Sequence, residues 1–106
     1  MLHKRVPYRN ARITKAAKGE PCTLNTPWCN NNPETTVFCH LNESFAGKGA
    51  GQKADDLFGF FGCSTCHDVY DGRIDKGMKF DADESWCVLR AVCLTQRRLL
   101  DMGIIK

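Results

Sequence analysis

The chain has 106 residues, room for one small domain whose modest core gains from a staple. No apolar run approaches the ~20 residues of a membrane span, and MLHKRVPYRN lacks the apolar stretch of a signal peptide, so the sequence reads as cytoplasmic with no membrane partner. The net charge of +3 is uneven: six Lys and Arg against Glu20 fill the first twenty residues, leaving a slightly acidic remainder. A basic arm suits contact with a phosphate backbone; a solvated, frayed terminus is the alternative.

Residues 1–10 read as a flexible basic arm and residues 11–106 as a single domain. Residues 11–18, ARITKAAK, predict a short helix carrying Arg12 and Lys15, with Gly19 as its stop. Pro21 to Pro33 holds Cys22, Cys29 and the cluster Asn30-Asn31-Asn32-Pro33, a looped knuckle. Residues 35–41, TTVFCHL, are β-branched and apolar and predict a strand. A flexible glycine-rich loop follows from Ala46 to Lys53, then a short aromatic strand or turn from Asp56 to Gly62. Residues 64–71 open a helix that Gly72 ends, and Asp71 to Lys79 is a polar connection. In the last element Asp81 and Glu84 form a capping-box pattern and Gly103 closes the C-terminus. Two sets recur there at helical spacing: Trp86, Leu89, Cys93, Leu100 and Val88, Val92, Thr95, Leu99. Short strands mixed with helices place the chain in the α+β class.

Seven cysteines without an export signal favour reduced thiols and a bound metal over disulfides. Cys63-Ser64-Thr65-Cys66 is a C-x₂-C knuckle, whose two thiolates wrap one tetrahedral ion. Cys22 and Cys29 are more loosely spaced, yet their loop, with Pro27 and Trp28, can curl both sulfurs inward. Together the four make a structural Zn²⁺ site. A rival assignment puts His67 or His40 in place of one thiol. Cys87 and Cys93 on the terminal helix, and Cys39 in the strand, are expected to be small buried hydrophobes. His40 ends a strand beside the glycine-rich loop, and His67 follows the knuckle directly. With Asp55, Asp56 and Asp68 close by in sequence, both histidines point to function.

The order of two cysteines, a strand ending in Cys39-His40, the Gly47-to-Lys53 loop, Asp56-Leu57 and Cys63-Ser64-Thr65-Cys66-His67-Asp68 resembles HNH (His-Me finger) nucleases with a zinc knuckle. More closely, with Lys15 to Cys22 and Asn32 to Val37, it is similar to the small phage and prophage nucleases of the YbcO type. The resemblance spans about residues 12–105. It implies a ββα-metal core with a C-terminal helix, acting as an endonuclease on DNA phosphodiester bonds, with phage or host replication or recombination proteins as further partners. His40 would deprotonate the attacking water, a task that suits histidine near neutral pH. His67 would ligate a divalent cation such as Mg²⁺, Mn²⁺ or Ni²⁺, and Asp56 would orient His40 from the family's asparagine position.

Cys39 departs from the pattern, because the residue before the base is commonly an acidic ligand and thiolate is a poor ligand for Mg²⁺. Either Asp68, the nearest carboxylate, completes the site, or a softer ion, weaker binding or lost activity follows. Lys48 and Lys53 either touch phosphate or line a solvated loop. Arg97 and Arg98 form a polar helix face. A non-catalytic zinc ribbon that binds nucleic acid or a protein partner is the competing function. A redox dithiol at Cys63 and Cys66 is weaker, since the thioredoxin-type βαβ context is missing.

Overall fold

The Asn10 side chain starts the first element, accepting the amide of Arg12 at 3.0 Å. The computed structural model describes residues 6–49, 51–72 and 82–106, with side-chain environments in the last stretch given from residue 85. Helix α1 spans Ala11–Ala16 and buries Ile13, with Ala17 behind it. It ends slightly short of the predicted stop, and Gly19 (φ +86°) turns the chain away. Next, Pro33–Thr35 makes one short helical turn, entered through the Asn32 side chain, which accepts the amide of Glu34. Proline at the head of that turn explains why the strand begins at Val37 and not at Thr35.

Strand β1 (Val37–His40) pairs antiparallel with β2 (Gly59–Gly62), placing Phe38 opposite Phe61, Cys39 opposite Phe60 and His40 opposite Gly59. Both faces of this ribbon are buried. Alternation sends Phe38 and Phe61 toward Ile13, Ala17 and Leu99, and sends Cys39 and Phe60 toward Leu24, Cys63, Cys66 and Ala91. Burying each phenylalanine contributes about 2–3 kcal/mol. Glycine is required at position 59, where a Cβ would collide with the Cys39 carbonyl and the Phe38 ring.

Helix α2 (Ser64–Tyr70) follows β2 directly, with Cys63 as its N-cap residue, and the chain leaves it through Gly72 at φ +74°. Helix α3 (Ala82–Asp101) lies across β2. Its Thr95 hydroxyl, fully buried, accepts the Phe61 amide at 3.0 Å and bonds Thr23 at 3.2 Å, so a polar residue holds a core position without penalty. Gly103 (φ +73°) closes the helix, and the Ile104 amide returns to the Leu99 carbonyl at 3.0 Å. The capping pair Asp81 and Glu84, and most of the polar connection before it, lie outside the residues or side chains described.

Of the two helical stripes, only one is core. Ala91, Thr95 and Leu99 are buried with Val88 and Val92 beside them, whereas Trp86, Leu89 and Leu100 are 61%, 64% and 42% exposed. This corrects the expectation for Cys93, which is exposed, while Cys87 is half-buried against the core and Cys39 is fully buried as expected. Cys93 sits two residues from Thr95, roughly 200° around the helix from the core stripe.

Candidate functional site

The cysteines come together as the sequence predicts. The Sγ atoms of Cys22, Cys29, Cys63 and Cys66 lie within 4.8 Å of one another, and all seven cysteines are free of disulfides. Two local turns shape the cluster. Asn25, at φ +49°, donates its amide to Cys22 Sγ, and Cys66 donates its amide to Cys63 Sγ, each at 3.4 Å. The loop between the first pair closes through Cys29 N–H to the Thr26 carbonyl at 2.9 Å, which returns Cys29 to the site. Thr23 fastens the loop to β2 through the Phe61 carbonyl, and buried Leu24 sits beneath it. The unusual spacing of Cys22 and Cys29 is therefore two turns in succession.

The donor set fits a metal such as zinc. Tetrahedral zinc with sulfur ligands at about 2.3 Å sets neighbouring sulfurs roughly 3.8 Å apart, and Cys63 and Cys29 stand at 3.7 Å. The Cys66 thiol, by hydrogen bonding, holds Cys22 down to about 5, against the opposing effect of burial. Burial pushes Cys29 up to about 11, while the hydrogen bond with Cys22, then burial, drives Cys66 upward. Without a cation the cluster stabilises one thiolate at its neighbours' expense; a bound dication is what lets several ionise together. Neither histidine belongs to this group, so the fold does not assemble the rival mixed shell.

The histidines meet elsewhere. His40 at the end of β1 and His67 on α2 line one open cleft of about 450 Å³, together with Lys48 and Lys53 from the glycine-rich loop, Asn42 and Asp71. The Phe38 ring meets His40 edge-on at 5.0 Å and forms part of the wall. Another cleft of about 440 Å³, between Leu41, Phe45 and the Val88–Leu89 edge of α3, is largely apolar and holds none of the predicted site residues.

Each histidine has a carboxylate. His40 Nε2 lies 2.8 Å from Asp56 Oδ1, and His67 Nε2 lies 3.0 Å from Asp71 Oδ2. Asp56 is buried behind the cleft, and its other oxygen accepts the Asn10 amide at 2.7 Å. Burial opposes its ionisation, yet the bonds from His40 and Asn10, with the charges of His40 and Arg9, hold its carboxyl below the usual value. Asp71 also accepts from Asn42 Nδ2 at 3.1 Å. Asp68, the carboxylate expected to join His67, is not among the cleft's lining residues; Asp71 is. The signal for it lay in the predicted helix, where residues four apart share a face. Sequence proximity alone favoured Asp68.

Cys39 does not face the cleft. Its side chain is packed with Leu24, Phe60 and Ala91, and burial drives its thiol strongly upward. The missing acidic residue before His40 is thus a core position in this fold. Lys48 and Lys53 reach the cleft, and Arg12 and Lys15 are exposed on α1, whose Thr14 forms one rim. The glycine-rich loop is held at its base by the Asp55 amide on the Ala46 carbonyl, at 3.0 Å, and by Gly49 pairing with Gln52.

These features define a small α+β domain with a metal-competent four-thiol cluster beside a basic, two-histidine cleft. Comparison with known proteins places it. The chain belongs to the family described as "Putative nuclease YbcO", whose model matches residues 11–104. It is 37% identical over 100 residues to "Putative nuclease YbcO" of Escherichia coli K12, covering 91% of this chain and 98% of that protein. The figures are the same for "Putative nuclease ybcO" of Enterobacteria phage 82. A solved structure of a putative bacteriophage protein from E. coli K-12 MG1655 superposes with a TM-score of 0.66 at 34% identity, covering 86% of this chain and 99% of that one. No helix of the described residues is long and apolar enough to cross a membrane.

Proposed function

We propose that the chain is a metal-dependent endonuclease of the HNH (His-Me finger) type that hydrolyses DNA phosphodiester bonds. One observation carries the reading: His40 and His67 share a lysine-bearing cleft, and a buried carboxylate holds His40 from behind. In this reading Asp56 Oδ1 accepts a hydrogen bond from His40 Nε2–H, which leaves Nδ1 to take a proton from water. His67 and Asp71 would hold the divalent cation, with water and substrate oxygens completing its shell, as hard cations accept. When bound, that ion supplies charge stabilisation at the scissile phosphate and the leaving oxygen. Lys48 and Lys53 bind the phosphate backbone beside the scissile bond, and Arg12 and Lys15 extend the contact along α1. Zinc at the four cysteines is structural and takes no part in the chemistry.

Supercoiled-plasmid nicking, scanned over Mg²⁺, Mn²⁺ and Ni²⁺, tests this. His40→Ala is expected to lower the nicking rate by at least about a hundredfold, the scale of a lost general base, while the chain still unfolds cooperatively. Cleavage unaffected by that substitution removes His40 from the mechanism. The alternative, a non-catalytic nucleic-acid-binding zinc module, is favoured by one observation: among the described residues only the four cysteines form a group of three or more metal-competent side chains. It predicts salt-dependent DNA binding with no cleavage under any of the three metals.

A further inference from the structure

The N-terminal stretch reads from sequence as a basic arm for nucleic acid, yet its last three residues do something else. Tyr8, Arg9 and Asn10 close around the end of the glycine-rich loop. The Asp56 amide donates to the Tyr8 carbonyl at 3.0 Å, and the Asn10 amide donates to Asp56 Oδ2 at 2.7 Å. The Arg9 guanidinium donates to the carbonyls of Ala54 at 2.7 Å and Lys53 at 2.9 Å. Its Nη1 also stands 3.6 Å from Asp56 Oδ1, the oxygen that holds His40. Asn10 Nδ2 bonds the Tyr8 hydroxyl at 3.1 Å, bracing the strap internally.

We propose that Arg9 is a positioning residue for the proposed reaction: it shares the Asp56 carboxylate that holds His40, and its fork fixes Lys53 at the cleft. The inference rests on the nuclease reading and deepens it. A buried carboxylate whose sole cationic partner is an imidazole draws that ring toward imidazolium, and an imidazolium cannot accept a proton. A permanent cation on the same carboxylate weakens the pull. Arginine suits the place because it never deprotonates and its planar fork can grip two successive carbonyls while it faces the acid. Among the described residues the other charged groups lining the cleft with His40 are Lys48 and Lys53 from the loop and His67 with Asp71 from α2; Arg12 and Lys15 are exposed on α1.

Removing the Arg9 charge leaves Asp56 to His40 alone, so the ring keeps its proton to higher pH. The test uses the full chain with Arg9→Gln and Arg9→Lys, with Arg9→Met as a second charge-free variant should glutamine not fold. Three quantities are read: melting temperature, titration of the His40 ring by NMR (assigned with His40→Ala), and nicking rate from pH 5.5 to 9. In Arg9→Gln, the His40 midpoint and the acidic limb of the rate profile are expected to rise together by about half a pH unit. That is a roughly threefold rate deficit on the limb which vanishes at high pH. Arg9→Lys keeps the charge but not the fork, so its limb stays at the wild-type pH while KM rises severalfold through Lys53. An unmoved His40 titration in the folded charge-free variant overturns the inference, and so does a loss that is equal at every pH and in both variants. The NMR titration needs no activity. An inactive wild-type chain would therefore sink the nuclease reading, while the titration still decides the role of Arg9.

Discussion

The cysteine cluster and the histidine cleft are adjacent through one covalent bond, Cys66 to His67, but are built on opposite plans. The cluster is self-sufficient: four like ligands, two of them fully buried, converge within one coordination shell. The cleft is open: among the described residues it is lined by His67 and Asp71, the metal ligands of the proposed reaction, by half-buried His40 and by two lysines. A site completed by the protein alone holds its ion through every cycle and supports the fold. A site left short of ligands keeps positions for water and substrate, which is what chemistry at a metal requires.

Disrupting the cluster is expected to have the largest effect. Cys66→Ser or strong chelation should abolish cooperative thermal unfolding, because the binding energy of a structural zinc, about 10 kcal/mol or more, rivals the whole stability of a small domain. Metal analysis of the purified chain should find one zinc per molecule. A zinc-free chain that still melts cooperatively would deny the cluster its structural role.

Asp56→Asn comes next. Nicking should fall by no more than about tenfold, since an amide oxygen can still accept from the imidazole, as the asparagine at this position of the resembled family implies, but without the negative charge. This residue also carries a pH signature. Its carboxyl is held below the ordinary value in the folded state, so the folded chain binds fewer protons than the unfolded one. That stabilisation is present in full above the unfolded value of about 3.9 and drains away as pH falls through the lower folded value. The melting gap between the wild-type chain and Asp56→Asn should therefore close below about pH 4, and a gap constant down to pH 2 would contradict the assignment.

Smaller effects separate rim from core. Lys48→Gln and Lys53→Gln should each raise KM severalfold and flatten the salt dependence of DNA binding by about one unit of slope, with little change in stability. At the bottom of the scale, Cys93→Ser on the exposed face of α3 should move stability by less than about 0.5 kcal/mol. Cys39→Ser, which places a hydroxyl in the core between Phe60 and Leu24, should cost about 1–3 kcal/mol. Chemical denaturation measures both.

Several elements were legible because they rest on local chemistry. The helix from Ala11, the strand carrying Cys39 and His40, the helix after Cys63 and the glycines at 19, 72 and 103 all follow from capping, β-branching and left-handed turns. The spacing that resembles a nuclease family also brought His40, Asp56 and His67 forward as candidates, and the structure joins His40 to Asp56 and sets both histidines on one cleft. Choices between near-equivalent residues were not legible. Two stripes on α3 share the helical period, and the ribbon of β1 and β2 selects one of them. Asp68 and Asp71 are the same residue type, and the turn of α2 toward the cleft favours Asp71.

By itself the sequence determined the metal-competent thiols, the order of short elements and the residue types available for phosphate chemistry, because these depend on composition and on contacts within a few positions. Only the tertiary structure decided that Arg9 and Asn10 reach across more than forty positions to Asp56 and that the two histidines open on one cleft. Such pairings depend on which face each element buries. That choice follows from packing the whole chain against itself, and no local pattern encodes it.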